Sequence, residues 1–481
     1  MVSLMPIVNH LTGLLDRSST PKPEVVVRAY NLGGYGDMAA AMRVASHLQH
    51  SGIRTAILAT SPDVFRVLQI LSPDVPVITQ GTSALQIDVS ACYRDSGSWK
   101  RIGPPHLFVE ELDWNQENRK DHAPLYLKTG LADLGSQRDD ELLQGEIRNP
   151  MFYRPFREWE LPEPGNRHAR QLILESMRKT ADNLRDLAAI LGETDYISFA
   201  RFRPNITAEQ ALSSEYITAI GRTANSSCSS YAVGIFAPQT LEDRMAEQAI
   251  SQSYTVVKSD GKARRASGKR LALIFLGPQT QLTTTSLFLS ADVPNLVTGH
   301  CSLSDAIYGL IAMDGPGFFY DCDSWETHTF RALTRILEAH SDPQDACPAT
   351  CFIEGSSAWI EDYKDSLRTD GRKVLAHGVF STAQLHNLAY AGHVFSSRQE
   401  ANTYRAKMKA AFAAEINHRF GQVPITGEKD TEGLYVPRGT PFLIQDAAER
   451  VVRALIERPQ ILKQYEESRM SLAARPPPYP Q

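Results

Sequence analysis

Val25-Val-Val-Arg-Ala-Tyr-Asn-Leu-Gly-Gly-Tyr-Gly-Asp37-Met38 decides how the chain is read. Val25, Val26 and Val27 are a β-branched run of the kind that fills a buried parallel strand. The turn that follows holds three glycines, Gly33, Gly34 and Gly36. From Met38 the apolar positions Met38, Ala41, Met42, Ala45 and Leu48 recur at helical spacing, as far as about His50. A strand, a Gly-rich turn and a helix leave backbone N–H groups exposed at the helix start, where an anion is favoured. Glycine lets another molecule approach the main chain closely. Asp37 stands where turn becomes helix, and as a first-turn acid it also complements the helix dipole.

Outward from this unit the pattern repeats. Residues 54–60 read as a strand, 62–71 as a helix, and 75–79 and 85–89 as short strands. Residues 106–110 form another strand, leading into the acidic and aromatic run Glu110-Glu-Leu-Asp-Trp114. Strands spaced by helices imply a parallel sheet with helices on its faces. Ligands of such sheets bind outside the carboxyl ends of the strands, where both the glycine turn and Glu110 lie. Residues 115–164 are polar and rich in Pro, Arg and Asn, and read as loops and an insertion. Residues 168–191 then read as one long amphipathic helix with Leu172, Leu174, Met177, Ala181, Leu184 and Leu187 as its apolar stripe.

A second alternating unit opens with a strand at 196–202. It continues through a helix (208–222), a strand (230–237), a helix (241–251) and a strand (254–258). Lys262, Arg264, Arg265, Lys269 and Arg270, set among Gly and Ser, read as a solvated loop rather than a binding arm. Residues 271–276 are the clearest buried strand. A helix to residue 290, a strand at 295–298, a helix at 303–312 and the run Gly315-Pro-Gly-Phe-Phe-Tyr320 complete the unit. A last helix is expected at 445–468, followed by a Pro-rich tail. No internal repeat of 20–50 residues is present.

Composition bounds the function. The chain has 481 residues, with 42% hydrophobic and 22% charged side chains, as in an ordinary globular protein of two or three domains. A net charge of −5 makes no case for nucleic-acid binding. No apolar run reaches the ~18 residues of a membrane span, and residues 1–24 lack the basic and apolar regions of a secretory signal. Six cysteines fit a reducing compartment, and Cys347-x3-Cys351 lacks the second pair that zinc needs. The expected location is cytoplasmic, including the alternative of a secreted effector acting in a host cytosol.

A second constellation is Val297-Thr-Gly-His-Cys-Ser-Leu-Ser-Asp305, followed by the Asp321-Cys-Asp323 pair and Glu326. Thr298, His300, Ser302 and Ser304 sit at a strand-to-helix turn whose amides suit a diphosphate. Asp305 is placed to accept from ribose hydroxyls. Ordinary capping by Ser302 and Asp305 explains the same residues. Leu276 and Gly277, at the end of the clearest strand, are placed to line a base pocket, and Arg201 and Arg203 to add positive charge.

The Asn31-x-Gly-x-x-Gly-Asp37 turn and the Val-Thr-Gly-x-x-Ser-x-x-Asp unit together resemble two-domain GT-B glycosyltransferases, nearest in look to heptosyltransferases and protein-arginine rhamnosyltransferases. The motifs are short, while the two-half outline runs through most of the chain. The sequence departs from the arginine rhamnosyltransferases in carrying Gly33-Gly34-Tyr35 within the turn. The resemblance implies two Rossmann-like domains facing across a cleft. Residues 1–24 are then a flexible N-terminus and 25–165 an acceptor domain with an insertion. A connecting helix (166–194), a donor-binding domain (195–442), a C-terminal helix (443–470) and a Pro-rich tail (471–481) follow.

It also implies an inverting, metal-independent transfer from a nucleotide-diphosphate sugar, with no other cofactor. Asp37 is the catalytic base. Gly34, Gly36, Leu276, Gly277, Thr298, His300, Ser302, Ser304 and Asp305 bind the donor, and Glu110, Asp321, Asp323 and Glu326 touch sugar or acceptor. The acceptor is a protein side chain, a glycan or a small molecule. The rivals are a sugar-nucleotide epimerase and a non-catalytic binder of nucleotide or partner. Dinucleotide and P-loop fingerprints are absent, as is a nucleophile elbow. Pro476-Pro-Pro-Tyr479 matches a peptide that WW domains take in extended form.

Overall fold

The computed structural model describes residues 22–30, 36–71, 75–80, 84–90, 105–110, 125–127, 168–178, 184–202, 206–266, 270–277, 279–298, 300–321, 394–420 and 444–458, with three isolated positions beyond. Two sheets organise these residues.

The first contains β1 (Val25–Ala29), β2 (Thr55–Ala59), β3 (Val77–Ile78), β4 (Leu85–Ser90), β5 (Leu107–Glu110) and β6 (Leu125–Leu127). Its order is β3-β2-β1-β4-β5-β6, all parallel. Every residue of β1 is buried. Helix α1 (Gly36–His50) buries Met38, Ala41, Val44, Ala45 and Leu48 against Val25, Val27, Ile57, Ile87 and Val109. Helix α2 (Pro62–Leu71) adds Val64 and Leu68 to the same core.

The opposite face of this sheet sets a closed polar cluster among the buried apolar side chains Val26, Leu58 and Phe108. Arg28 and its cross-strand neighbour Asp88 are both fully buried and form an ion pair through Nε and Nη2, the latter at 2.7 Å. Tyr30 donates to the same carboxylate at 3.1 Å, and Arg28 Nη1 donates to Gln86 Oε1 at 3.2 Å. These bonds compensate the desolvation of two charges, without which neither would be tolerated there.

Helices α3 (Ala169–Met177) and α4 (Arg185–Gly192) stand where one long helix was expected. Met177 and Leu187 are buried as the stripe requires, but Arg178 ends the first helix and Leu184 begins the second outside helical geometry. Between them Arg170 binds the carbonyls of Leu191 and Thr194, folding the pair together.

The second sheet contains β7 (Tyr196–Arg201), β8 (Tyr231–Phe236), β9 (Thr255–Val257), β10 (Ala263–Arg264), β11 (Leu271–Phe275), β12 (Asn295–Thr298) and β13 (Phe318–Asp321). Its order is β10-β9-β11-β8-β7-β12-β13, parallel except for β10. Its helices are α5 (Ala208–Leu212), α6 (Glu215–Ser227), α7 (Gln239–Ser251), α8 (Gln281–Leu289), α9 (His300–Ala312) and α10 (Arg398–Phe420).

Three local expectations change. The helix expected at 208–222 is two, because Ser214 accepts from the amide of Ile217 and starts a new one, as a capping serine does. Within the basic loop, β10 pairs with β9; Lys262 and Arg265 nonetheless stay in solvent, paired with Asp260 and Glu193. The region read as pure insertion supplies β6, whose Leu-Tyr-Leu extends the first sheet beside β5.

Helix α11 (Ile444–Glu457) returns to the first sheet and buries Ala448, Val451, Val452 and Leu455 in its core. Glu449 ties it to α1, accepting from Ser51 Oγ at 2.7 Å and lying 2.8 Å from His47 Nε2. Burial alone would raise the Glu449 carboxyl, but the bonds from His47, Ser51 and Arg453 outweigh it and hold the pKa at about 2. Among the described residues no helix is long and apolar enough to cross a membrane.

Candidate active site

Parallel α/β sheets place ligands beyond the carboxyl ends of their strands. In the first sheet that edge carries Gly36 and Asp37, which open α1; Asp37 lies in its first turn and is buried, with 9% exposure. Gly33 and Gly34 lie outside the described residues, as do Glu111 and Asp113. Glu110 ends β5 opposite Ser90 of β4, on the same edge.

In the second sheet, β12 ends at Thr298 and α9 begins at His300, three residues earlier than the apolar pattern indicates. Ser302 is therefore inside the first turn rather than at the cap. Its hydroxyl accepts from Arg201 Nη1 at 2.9 Å. Arg201 closes β7, which lies beside β12, so the strand pairing itself brings the guanidinium to the amino end of α9. Thr298, Ser302 and Ser304 are all buried, and the Ser304 hydroxyl has no hydrogen-bond partner among the described residues. A positive side chain, a helix amino end and buried hydroxyls make an environment suited to a phosphate-bearing group.

Asp305 faces the first sheet's helix α1. Arg43 of α1 donates from Nη2 to Asp305 Oδ2 at 2.8 Å, and its Nη1 lies 2.8 Å from Oδ1. Arg43 keeps 4% of its exposure and the Asp305 side chain 18%. Burial pushes the Asp305 carboxyl above its ordinary value, against the pull of Arg43 and, more weakly, of Arg201. This pair joins the two sheets: α1 belongs to the first, α9 to the second, and the two helices pack together.

Farther along the same carboxyl edge, just past β11, Leu276 is buried and Gly277 has φ +63°, a conformation that side-chain-bearing residues avoid. Gln279 Nε2 donates to the Leu276 carbonyl at 2.6 Å. A Cβ on Gly277 would stand 3.2 Å from Cβ of Ser259, whose amide and hydroxyl both donate to Glu242 Oε1 at 3.0 Å. Glu242 is fully buried and its Oε2 has no hydrogen-bond partner among the described residues.

The structure thus brings Arg201, Ser302, Ser304 and Asp305 together, sets Leu276 and Gly277 farther along the same edge, and places Asp37 on the helix that contacts α9. Asp321 ends β13 in register with Thr298. Arg203, Asp323, Glu326, Cys347, Cys351 and the Pro-Pro-x-Tyr tail lie outside the described residues. Sequence reasoning missed Arg43 and Glu242. The only trace of Arg43 is a basic residue in an otherwise apolar stretch, Met38 to Ala45.

No protein-family model and no curated protein matches the chain. Among solved structures, the chain is similar to MurG of Acinetobacter baumannii, at 11% identity over 83% of this chain and 99% of that one, with a TM-score of 0.38. It is similar to a glycosyltransferase from Rickettsia africae ESF-5, at 9% identity over 81% and 100%, with a TM-score of 0.34. A third likeness is to the UDP-GlcNAc 2-epimerase of Methanocaldococcus jannaschii in complex with UDP-GlcNAc and UDP. That one is 13% identical over 64% and 91%, with a TM-score of 0.28.

Proposed function

We propose that this chain is an inverting, metal-independent glycosyltransferase that uses a nucleotide-diphosphate sugar. The observation that carries the reading is the contact of α1, which holds Asp37 in its first turn, with α9, whose amino end receives Arg201 through Ser302. A carboxylate on one sheet and an anion-binding helix start on the other are the two devices an inverting transfer needs.

In this reading the diphosphate lies at the amino end of α9, with Arg201 and the Ser302 and Ser304 hydroxyls around it. The base reaches the edge at Leu276 and Gly277. Asp37 takes the proton from the acceptor oxygen or nitrogen as that atom bonds to the anomeric carbon. The bond from carbon to the diphosphate oxygen breaks on the opposite face, and the electron pair leaves with the nucleoside diphosphate. Arg201 and the helix amides stabilise the charge that develops there. The acceptor is a hydroxyl or nitrogen, a protein side chain among the candidates.

Arg201→Met tests the donor half. Losing one charge-assisted contact of ~1.5–3 kcal/mol lowers affinity for a nucleoside diphosphate by about 10- to 100-fold. Affinity for the matching nucleoside, which lacks the phosphates, stays within about twofold. Equal losses for both ligands would remove the diphosphate from this helix end.

A further inference from the structure

The contact between Arg43 and Asp305 is unusual in its placement. Most cohesion within each sheet is apolar, yet the described salt bridge between the two is a nearly buried guanidinium and carboxylate, with both nitrogen–oxygen pairs at 2.8 Å. Desolvation offsets much of the attraction in such a pair, so it is a poor source of stability. What a hydrogen bond through Nη2 and a close ion contact through Nη1 of one planar guanidinium do supply is geometry, because together they constrain both distance and orientation. Arg43 lies six residues beyond Asp37 on the same rigid helix, and Asp305 three beyond Ser302 on another.

We propose that Arg43 is a positioning residue: by holding Asp305, it sets the spacing between the helix that carries Asp37 and the helix end that takes the donor's diphosphate. The inference rests on the proposed transferase reading for its catalytic consequence, and on the geometry alone for its structural one. Asp305 then acts through Arg43 and not as a ribose ligand. A displacement of about 1 Å between reacting groups costs on the order of 100-fold in rate, so the tie bears on kcat far more than on donor binding.

The test uses the full chain with Arg43→Met, Arg43→Lys and the double variant Arg43→Met/Asp305→Leu. The double variant removes both charges and so guards against a single variant that fails to fold. Small-angle X-ray scattering reads the spacing of the two units, calorimetry reads sugar-nucleotide binding, and turnover reads kcat and KM separately.

The expected result is a broadened distance distribution for Arg43→Met and for the double variant, with partial return in Arg43→Lys. Donor affinity stays within about threefold while kcat falls roughly 10- to 100-fold. Unchanged scattering with unchanged kcat in the folded double variant overturns the proposal. So does a loss confined to donor affinity, which would make Asp305 a ligand. If no sugar nucleotide binds or turns over in the wild type, the transferase reading and the catalytic half of this inference fail together. The scattering arm still decides whether the pair sets the spacing.

Discussion

Replacing Gly234 by Ala probes how the second sheet holds the candidate base pocket. Gly234 sits in β8 directly beside Phe199 of β7. A Cβ there would stand 2.5 Å from Cδ1 and 2.7 Å from Cε1 of the Phe199 ring, and 3.1 Å from Cδ1 of Leu276, well inside ordinary contact at 3.4 Å. The ring has nowhere to retreat. It lies 6.2 Å from the Phe236 ring and 6.0 Å from that of Phe288, and the backbone amide of Phe199 is tied to Asn295 Oδ1 at 2.9 Å. Overpacking of this kind costs ~1–3 kcal/mol, while alanine recovers ~0.5–1 kcal/mol of backbone entropy relative to glycine. The net loss is about 1–2 kcal/mol.

Urea unfolding followed by tryptophan fluorescence and far-UV circular dichroism reads the change as a lower midpoint, by roughly 0.5–1 M for m near 2 kcal/mol/M. Phe199→Leu opens the space, so the cost of Gly234→Ala should shrink by about 1 kcal/mol in that background. Because the clash also reaches Leu276, nucleotide affinity should fall with stability and recover with it. A Gly234→Ala protein as stable as wild type, or a cost unchanged by Phe199→Leu, would refute the packing argument.

Three further outcomes follow from the same physics. Arg28→Met takes the guanidinium away from the fully buried Asp88 carboxylate and should cost ~3–5 kcal/mol in chemical unfolding, whereas Arg28→Met/Asp88→Leu should cost distinctly less than either single change. Glu449, held at about 2 in the folded chain against an ordinary 4.5, contributes stability that is complete above the ordinary value and is lost as pH falls from about 4.5 through about 2. With 22% of the side chain still exposed, solvent screening reduces that contribution to about 2 kcal/mol. The acid limb should flatten in Glu449→Gln when unfolding is followed across that range. Ser214→Ala removes the cap that separates α5 from α6 and should cost ~0.5–2 kcal/mol, with faster amide exchange at Ile217.

Much of the fold was legible because its signals are local. The valines of β1, the period of α1 and the Leu-Ala-Leu-Ile-Phe run of β11 each announce their element from a few neighbouring residues, and the alternation of such elements predicts parallel sheets. What escaped was set by distant partners. β6 is three residues whose strand identity comes from pairing with β5. Helix α10, which sequence analysis left unassigned, shows its apolar stripe only at Ala401, Tyr404, Met408, Ala411 and Phe412, scattered among Arg, Lys and Gln. Those residues make sense once they pack on the second core.

The site divides in the same way. Ser302 and Ser304 were visible because they share a turn with a strand end. Arg43 was not, since its partner lies 262 positions later and nothing in its own helix marks it. Asp305 was seen, but a carboxylate near a helix start carries no sign of which cation it faces.

The central claim is tested most directly by incubating UDP-, GDP- and dTDP-sugars with the wild type and with Asp37→Ala, following thermal stabilisation and release of free nucleotide. The account predicts that one donor stabilises both proteins and that only the wild type releases nucleotide. Failure of every sugar nucleotide to stabilise either protein, or undiminished release by Asp37→Ala, would contradict it.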